Sequence, residues 1–261
     1  MSAIRIATWN INSIRARLPL LQKLAESEHP DIICLQETKV PDELFPGDAV
    51  RSLGYPHVLT CGMKGYNGVA ILSRVPIAPT GQRDWCGRGD ARHLSVSLPD
   101  GTELHNFYIP AGGDVPDPAA NDKFAHKLSF LDEMTAWFPS ERHADRPMIL
   151  VGDLNIAPLE TDVWSHKQLL DVVSHTPVEV EKLGRLQQSV AWVDAVRAFI
   201  PPAERLYSWW SYRARDWSAS DRGRRLDHIW VTPPLQRRRA SERLEHLDRG
   251  DVQRTRQRLA I

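Results

Sequence analysis

Met148-Ile-Leu-Val-Gly-Asp-Leu-Asn155 holds the pattern that decides the fold of this chain. Four apolar residues form a run that suits a buried strand, and the run stops at Gly152 and the carboxylate of Asp153. Side chains alternate along an extended segment, which puts Asp153 and Asn155 on one face. The design recurs. Ile4-Arg-Ile-Ala-Thr-Trp9 stops at Asn10, and Asp31-Ile-Ile-Cys-Leu-Gln36 stops at Glu37. Further strand-like runs cover 68–72, 93–98, 104–109 and 226–231. Strand ends along one sheet edge can meet in a single cleft, so Asn10, Glu37, Asp153 and Asn155 are candidates for a shared site.

Helical patterns separate these runs. Leu18, Leu21, Leu24 and Ala25 share a face within 17–27, residues 123–138 behave alike, and 179–200 reads as helix with a break near Gly184. No repeat and no Gly/Ser linker divides the chain, which fits one α/β domain with covered sheets. A chain of 261 residues can bury a sizeable core, and 42% hydrophobic with 25% charged residues is a globular balance. No apolar run is long enough for a membrane span, and the first residues enter a strand pattern without a signal-peptide core. Cys34, Cys61 and Cys86 are odd in number and lack metal-type spacing, which suits a reducing, cytoplasmic setting. A net charge of zero argues against histone-like binding by the whole chain. The charge is uneven, with eight arginines against four acids from Pro233 onward.

Phosphodiester hydrolysis needs a cation to neutralise phosphate, an activated water and help for the leaving oxygen. Mg²⁺ takes hard oxygens, usually one or two carboxylates with waters and phosphate. Glu37 suits such a ligand, Asn10 can add a carbonyl oxygen, Asp153 can orient or deprotonate water, and Asn155 can support the phosphate. Each alone is more often a turn former or cap. Trp209, Trp210, Tyr212 and Trp217 either stack on unpaired bases or fill a core. Arg213, Arg222, Arg224 and Arg225 either contact phosphates or sit on the surface without a specific role. Cys34 reads as core. Gly62-Met-Lys-Gly-Tyr-Asn-Gly68 reads as a tight turn because it lacks the Lys-Ser/Thr ending of a P-loop, and His166 and His175 read as solvent-exposed.

Taken in order, five motifs resemble the exodeoxyribonuclease III and abasic-site endonuclease family. They are Thr8-Trp-Asn-Ile-Asn12, Leu35-Gln-Glu-Thr-Lys39, Asn106-Phe-Tyr-Ile-Pro110, Gly152-Asp-Leu-Asn155 and Arg225-Leu-Asp-His-Ile229. Trp209-Trp-Ser-Tyr-Arg213, with Asp216-Trp217 and Gly223-Arg-Arg-Leu-Asp227, is similar to its bacterial members. The resemblance implies a deoxyribonuclease I-like four-layer α/β sandwich, two packed mixed β-sheets flanked by helices, in a catalytic domain over 1–232. It implies cleavage of DNA 5′ to abasic sites and removal of nucleotides from 3′ ends of duplexes. Mg²⁺ would be the cofactor, with Mn²⁺ as a substitute, in a monomer acting on duplex and abasic-site DNA. Asn10, Glu37, Asp153 and Asn155 would be the metal-site residues, with Tyr108 at the scissile phosphate. Asp153 would handle the water or a proton, Asn155 would stabilise the transition state, and Asp227 would orient a catalytic histidine. Trp209, Arg213, Trp217 and Arg225 would contact DNA.

The family closes on Ser-Asp-His, and this chain has no such tripeptide. Asp227-His228 does not substitute, because it fills the family's Arg-x-Asp-His position. Residues 233–261 read as an Arg-rich tail that replaces the last strand and leaves a sheet edge unpaired. A reading-frame slip near residue 235 or a divergent DNA-contacting arm would each produce it. Two other functions stand beside the nuclease. One is a DNA-binding homologue with reduced or no catalysis. The other is a small-molecule or lipid phosphodiesterase or phosphatase of the same fold, as sphingomyelinases and inositol polyphosphate phosphatases are.

Overall fold

A computed structural model describes residues 4–211, 216–236, 241–242 and 257–260. Its longer strands are β1 (Arg5–Asn10), β2 (Ile32–Gln36), β3 (His57–Cys61), β4 (Val69–Ser73), β5 (Ala78–Gly81), β6 (His93–Ser97), β7 (Glu103–Tyr108) and β8 (Met148–Asp153). They are followed by β9 (Val193–Asp194), β10 (Trp209–Trp210), β11 (Gly223–Arg224), β12 (Asp227–Val231), β13 (Ser241–Glu242) and β14 (Gln257–Ala260). The α-helices are α1 (Ile14–Glu28), α2 (Gly47–Ser52), α3 (Asp122–Glu141), α4 (His166–Leu169), α5 (Pro177–Ser189), α6 (Trp217–Ser220) and α7 (Pro233–Gln236).

Two six-stranded sheets form, in the orders β13-β14-β1-β2-β4-β3 and β5-β6-β7-β8-β12-β9. Each is mixed: β1–β2 and β7–β8 are parallel, and the other pairs are antiparallel. Strand alternation sorts the side chains into layers. Ile6, Ile32, Cys34, Val69 and Ile71 of the first sheet meet Leu94, Leu104, Ile149, Val151 and Ile229 of the second. The alternate residues Trp9, Ile33, Leu35 and Leu72 pack against Ile14, Leu21 and Leu24 of α1. On the far side, Phe107, Leu150 and Trp230 pack against Phe130, Met134 and Phe138 of α3 and Leu183 and Leu186 of α5. Helix, sheet, sheet, helix is the four-layer sandwich the motifs imply.

Three local expectations change. α5 passes through Gly184 without a break. A capping box of Thr176 and Glu179, with Pro177 in the first turn, starts it firmly. A Cβ on Gly184 would meet nothing within 4 Å, so the glycine costs about 1 kcal/mol in propensity and no packing. The helix then ends at Ser189, short of the expected 200, and β9 follows. The open sheet edge is also corrected: β14 pairs antiparallel with β1, Arg5 opposite Ala260 and Thr8 opposite Gln257. Edge pairing uses backbone N–H and C=O groups, so an Arg- and Gln-rich segment serves as well as an apolar one. Leu235, beyond the last apolar strand, still packs into the core between the sheets. Other expectations hold: 62–68 is the turn joining antiparallel β3 and β4, and Cys34 is fully buried, its thiol pKa pushed up by burial.

Buried charge is balanced locally. Arg225 is fully buried, and its Nη2 donates to Asp194 Oδ2 at 2.7 Å while its backbone N–H donates to Asp162 O at 2.8 Å. Arg197 Nη2 lies 2.5 Å from Asp162 Oδ1. Burial raises the pKa of Asp162, against the pull of Arg225 and Arg197. At Asp194 burial acts in the same sense and is the largest single influence, but the Arg225 charge and hydrogen bond together with the Arg197 N–H outweigh it and the pKa falls. Removing the cation leaves Asp194 buried without its counter-charge, while Asp162 keeps Arg197, so Arg225→Met should destabilise the fold by about 3–5 kcal/mol in urea denaturation. A loss under about 1 kcal/mol would refute that role.

Histidines are buried as neutral rings. His93 stacks on Phe107 (centroids 4.2 Å apart), and its Nε2 lies 3.1 Å from His105 Nδ1. Burial lowers the pKa of His93, and burial together with the Arg142 charge takes His105 to about 3. Burial, aided by the Arg225 charge, also takes His228 to about 3. With folded pKa values below the unfolded ~6.5, the unfolded chain binds the extra protons. This contribution is intact above pH ~6.5 and declines as pH falls toward ~3, by about 1.4 kcal/mol per pH unit per histidine. Urea midpoints measured from pH 7.5 to 5 should fall accordingly, and His228→Gln should flatten the slope. Identical profiles for the two proteins would rule this out.

Candidate active site

Parallel pairing sends Asn10 and Glu37 out of the same end of the first sheet, and Tyr108 and Asp153, register partners in β7 and β8, out of one end of the second. Gly152 makes this close approach possible. Its φ is +145°, and a Cβ there would stand 1.9 Å from Phe107 O. The two ends meet through Asn10, whose Nδ2 donates to Glu37 Oε1 at 2.7 Å and to Asp153 Oδ2 at 2.7 Å. Tyr108 Oη donates to the same Glu37 Oε1 at 2.9 Å.

Backbone turns, not strand alternation, complete the cluster. Alternation would turn Glu37 away from Gln36 and out of the space between the sheets. Its φ of +53° breaks the alternation, and its carboxylate reaches Asn10 and Tyr108. Asn12, Ser13, Lys39 and Asn155 also have positive φ, a concentration of unfavourable backbone of the kind found at functional sites. Asn155 does come beside Asp153, but by a turn (φ +56°) instead of along the extended strand expected. Its backbone N–H donates to Asp153 Oδ1 at 3.1 Å, and its Nδ2 donates to Ile109 O at 2.9 Å.

Asp227 is the register partner of Asp153 in antiparallel β12 and is almost fully buried. By alternation it shares the inward face with Ile229 and Val231, which line the core between the sheets. His228 therefore points the other way, toward the helices, and its Nε2 contacts Ile156 O at 2.8 Å. It cannot stand in for a histidine at the cleft.

Two cations at the site were absent from the sequence candidates. Lys39 Nζ lies 2.8 Å from Glu37 Oε2 and donates to Asn12 Oδ1 at 2.6 Å. Its signal was available, since it ends the Leu35-Gln-Glu-Thr-Lys39 motif. Arg92 carried no signal. Its guanidinium lies over the Tyr108 ring, 4.7 Å from the centroid, donates to Tyr108 O at 3.2 Å and pairs with Asp90.

The residues expected at DNA divide. Arg225 is corrected outright: it is buried against Asp194 and Asp162, out of reach of a phosphate. Trp209 is half-buried, with the Arg224 guanidinium 5.6 Å from its ring centroid, whereas Trp210 is buried and donates from Nε1 to Asp221 Oδ1 at 3.0 Å. Arg224 also donates to Val173 O and Ser174 Oγ, and Arg222 lies over Trp164. Arg213 and Tyr212 lie outside the described residues, as does the side chain of Trp217. His175 is buried, not exposed as expected: its Nδ1 is 2.6 Å from Ala157 O, and its Nε2 meets His166 Nδ1 at 2.8 Å.

Glu37 and Asp153 fit the hard-oxygen donor set of a magnesium-type ion. Both converge on a single Asn10 nitrogen, so their oxygens are neighbours. Among the described residues no group of three or more His, Cys, Asp or Glu side chains is arranged to hold a metal ion. Asn10 offers these carboxylates its nitrogen, while its Oδ1 accepts from Asn12 N–H at 3.2 Å. In this geometry it bridges the two carboxylates.

Comparison with known proteins places the chain in a family. The Endonuclease/Exonuclease/phosphatase family matches residues 7–250. Exodeoxyribonuclease III of Haemophilus influenzae is 30% identical over 249 residues, covering 90% of both chains. The structure of an AP endonuclease from Archaeoglobus fulgidus superposes with a TM-score of 0.89 at 28% identity over 98% of each chain. A 3′ phosphatase from Neisseria bound to a product DNA hairpin gives 0.85 at 28% identity, also over 98% of each. With five ordered motifs, two facing mixed sheets and a carboxylate site where they meet, this chain belongs to the endonuclease/exonuclease/phosphatase family, alongside exodeoxyribonuclease III.

Proposed function

We propose that this protein is a DNA-repair phosphodiesterase that cuts 5′ to abasic sites and removes nucleotides from 3′ ends of duplex DNA. One observation carries the reading: Asn10 joins Glu37 and Asp153 across the two sheets, with Tyr108 on the same Glu37 oxygen. Mg²⁺ held by Glu37 and Asp153, or Mn²⁺ in its place, would neutralise charge on the phosphate. Asp153 is held by the Asn155 N–H and by Asn10, in position to orient an attacking water or take its proton. Tyr108 and Asn155 provide donors at the phosphate, and Asp227 adds a second acid beside Asp153. Lys39 and Arg92 place positive charge at the cleft, which favours a polyanionic substrate. The enzyme works in the cytoplasm as a monomer, and Trp209, Arg213 and Trp217 contact the duplex.

The lack of Ser-Asp-His supports a second reading, a DNA-binding homologue with reduced or no catalysis. His228 is buried with a pKa near 3 and faces away from the cleft, so it supplies no charged imidazole. Losing such a group costs about 3 kcal/mol or more of barrier, a hundredfold in rate.

The readings separate on a duplex oligonucleotide bearing one abasic site, incubated with Mg²⁺ or EDTA. Metal-dependent cutting 5′ to the site is expected, reduced at least ~100-fold in Asp153→Ala. Binding of the duplex without cutting above the Asp153→Ala level would establish the second reading. Release of phosphate from inositol phosphates, with abasic DNA left intact, would overturn both.

A further inference from the structure

Lys127 is a fully buried cation outside the carboxylate cluster, and none of the motifs includes it. It sits on α3, and its Nζ meets three acceptors from three segments. Asn155 O accepts at 2.8 Å, Ala111 O at 3.3 Å and Glu179 Oε1 lies at 2.5 Å. An ammonium has three N–H donors, so its capacity is filled. Glu179 is equally engaged: its carboxylate accepts from Ser174 N–H, Thr176 N–H and Thr176 Oγ at 2.7–3.1 Å. Room for the lysine stem is left by Gly112 (φ +90°), where a Cβ would stand 2.9 Å from Lys127 Cδ.

Stability alone is a poor explanation for this pair. A buried ion pair gains little over a well-packed apolar pair, because both charges must be stripped of water. The arrangement instead controls geometry. Ala111 follows β7, Asn155 follows β8 and Glu179 lies in the first turn of α5, so one ammonium ties together the three segments behind the cleft. Its acceptor at Asn155 is the carbonyl of a residue with left-handed backbone, a conformation that needs support from its surroundings. The same residue's N–H holds Asp153 and its side chain holds Ile109 O.

We infer that Lys127, with Glu179 as its counter-charge, is a positioning residue: it pins the turn that sets Asn155 and, through it, Asp153 for the reaction. This rests on the phosphodiesterase reading proposed above. The test uses the full chain and the charge-balanced double variant Lys127→Met/Glu179→Gln, which leaves no orphaned buried charge. It is compared with Asn155→Ala and with the triple variant, in abasic-duplex cleavage with Mg²⁺ and in amide hydrogen exchange. The double variant should lose about a hundredfold in kcat with KM changed by less than about threefold. Exchange across 154–157 should accelerate while the β7 and β12 amides keep their protection. The triple variant should lose clearly less than the product of the two separate losses, because the lesions share one turn although Asn155→Ala keeps the backbone N–H that holds Asp153. Losses that multiply, or unchanged exchange across 154–157, would overturn the inference. Should Asn155→Ala cut at the wild-type rate, Asn155 loses its place in the reaction, and the exchange result alone decides whether Lys127 holds the turn.

Discussion

The carboxamide of Asn106 fixes how the two sheets face each other. It lies on β7 of the second sheet, yet its Nδ2 donates at 3.0 Å to both Leu35 O and Ala70 O in β2 and β4 of the first. Its Oδ1 accepts from Gln36 Nε2 at 2.7 Å, and that nitrogen also reaches Thr8 Oγ1 at 2.9 Å. Apolar packing between sheets tolerates sliding, whereas a buried amide placed against specific carbonyls does not, because any slip leaves polar groups unpaired in a dry interior. Asn10, Glu37 and Tyr108 lie one strand position or two beyond this bridge. The carboxylate cluster inherits its registration from it.

From that bridge the polar character increases toward one end of the sandwich. Asn106, Gln36, Thr8 and Asp153 are fully buried, and Asn10 and Tyr108 are nearly so. Two acids held close together repel, and a site that keeps them needs compensating charge and donors. Asn10 provides two N–H groups, Lys39 provides an ammonium and Tyr108 a hydroxyl, while Lys127 and Glu179 brace the turn behind Asp153. The positive-φ residues in this region fit the same picture: backbone strain is concentrated where side chains must leave the alternation of a strand.

Arg225 and His228 show how one short strand separates structure from chemistry. Along β12 the alternation directs Asp227 into the space between the sheets and His228 toward the helices. Arg225, just before the strand, folds back into a buried pair with Asp194 and Asp162. A basic residue and a histidine within a catalytic-looking motif thus serve the fold, and the acid between them points between the sheets. Nothing in composition or charge distinguishes the three; only the direction of each side chain does.

What the sequence determined by itself, with the sandwich implied only by its ordered motifs, was seven of the strands and the strand-end polar residues Asn10, Glu37, Asp153 and Asn155. These follow from local patterns: apolar runs that must be buried, and the polar residues that interrupt them. The contribution of Tyr108 and Asp227 came only from ordered motifs, since a tyrosine or aspartate at a strand end has many uses. Tertiary structure alone decided that Lys39, Arg92 and Lys127 flank the carboxylates, that Arg225 is buried, and that a polar segment, β14, pairs with the edge of β1. Each depends on contacts between residues far apart in the chain, or on backbone hydrogen bonds that any side chain permits. Local pattern shows which residues must leave water; where each then finds its partners is decided only when the sheets close on one another.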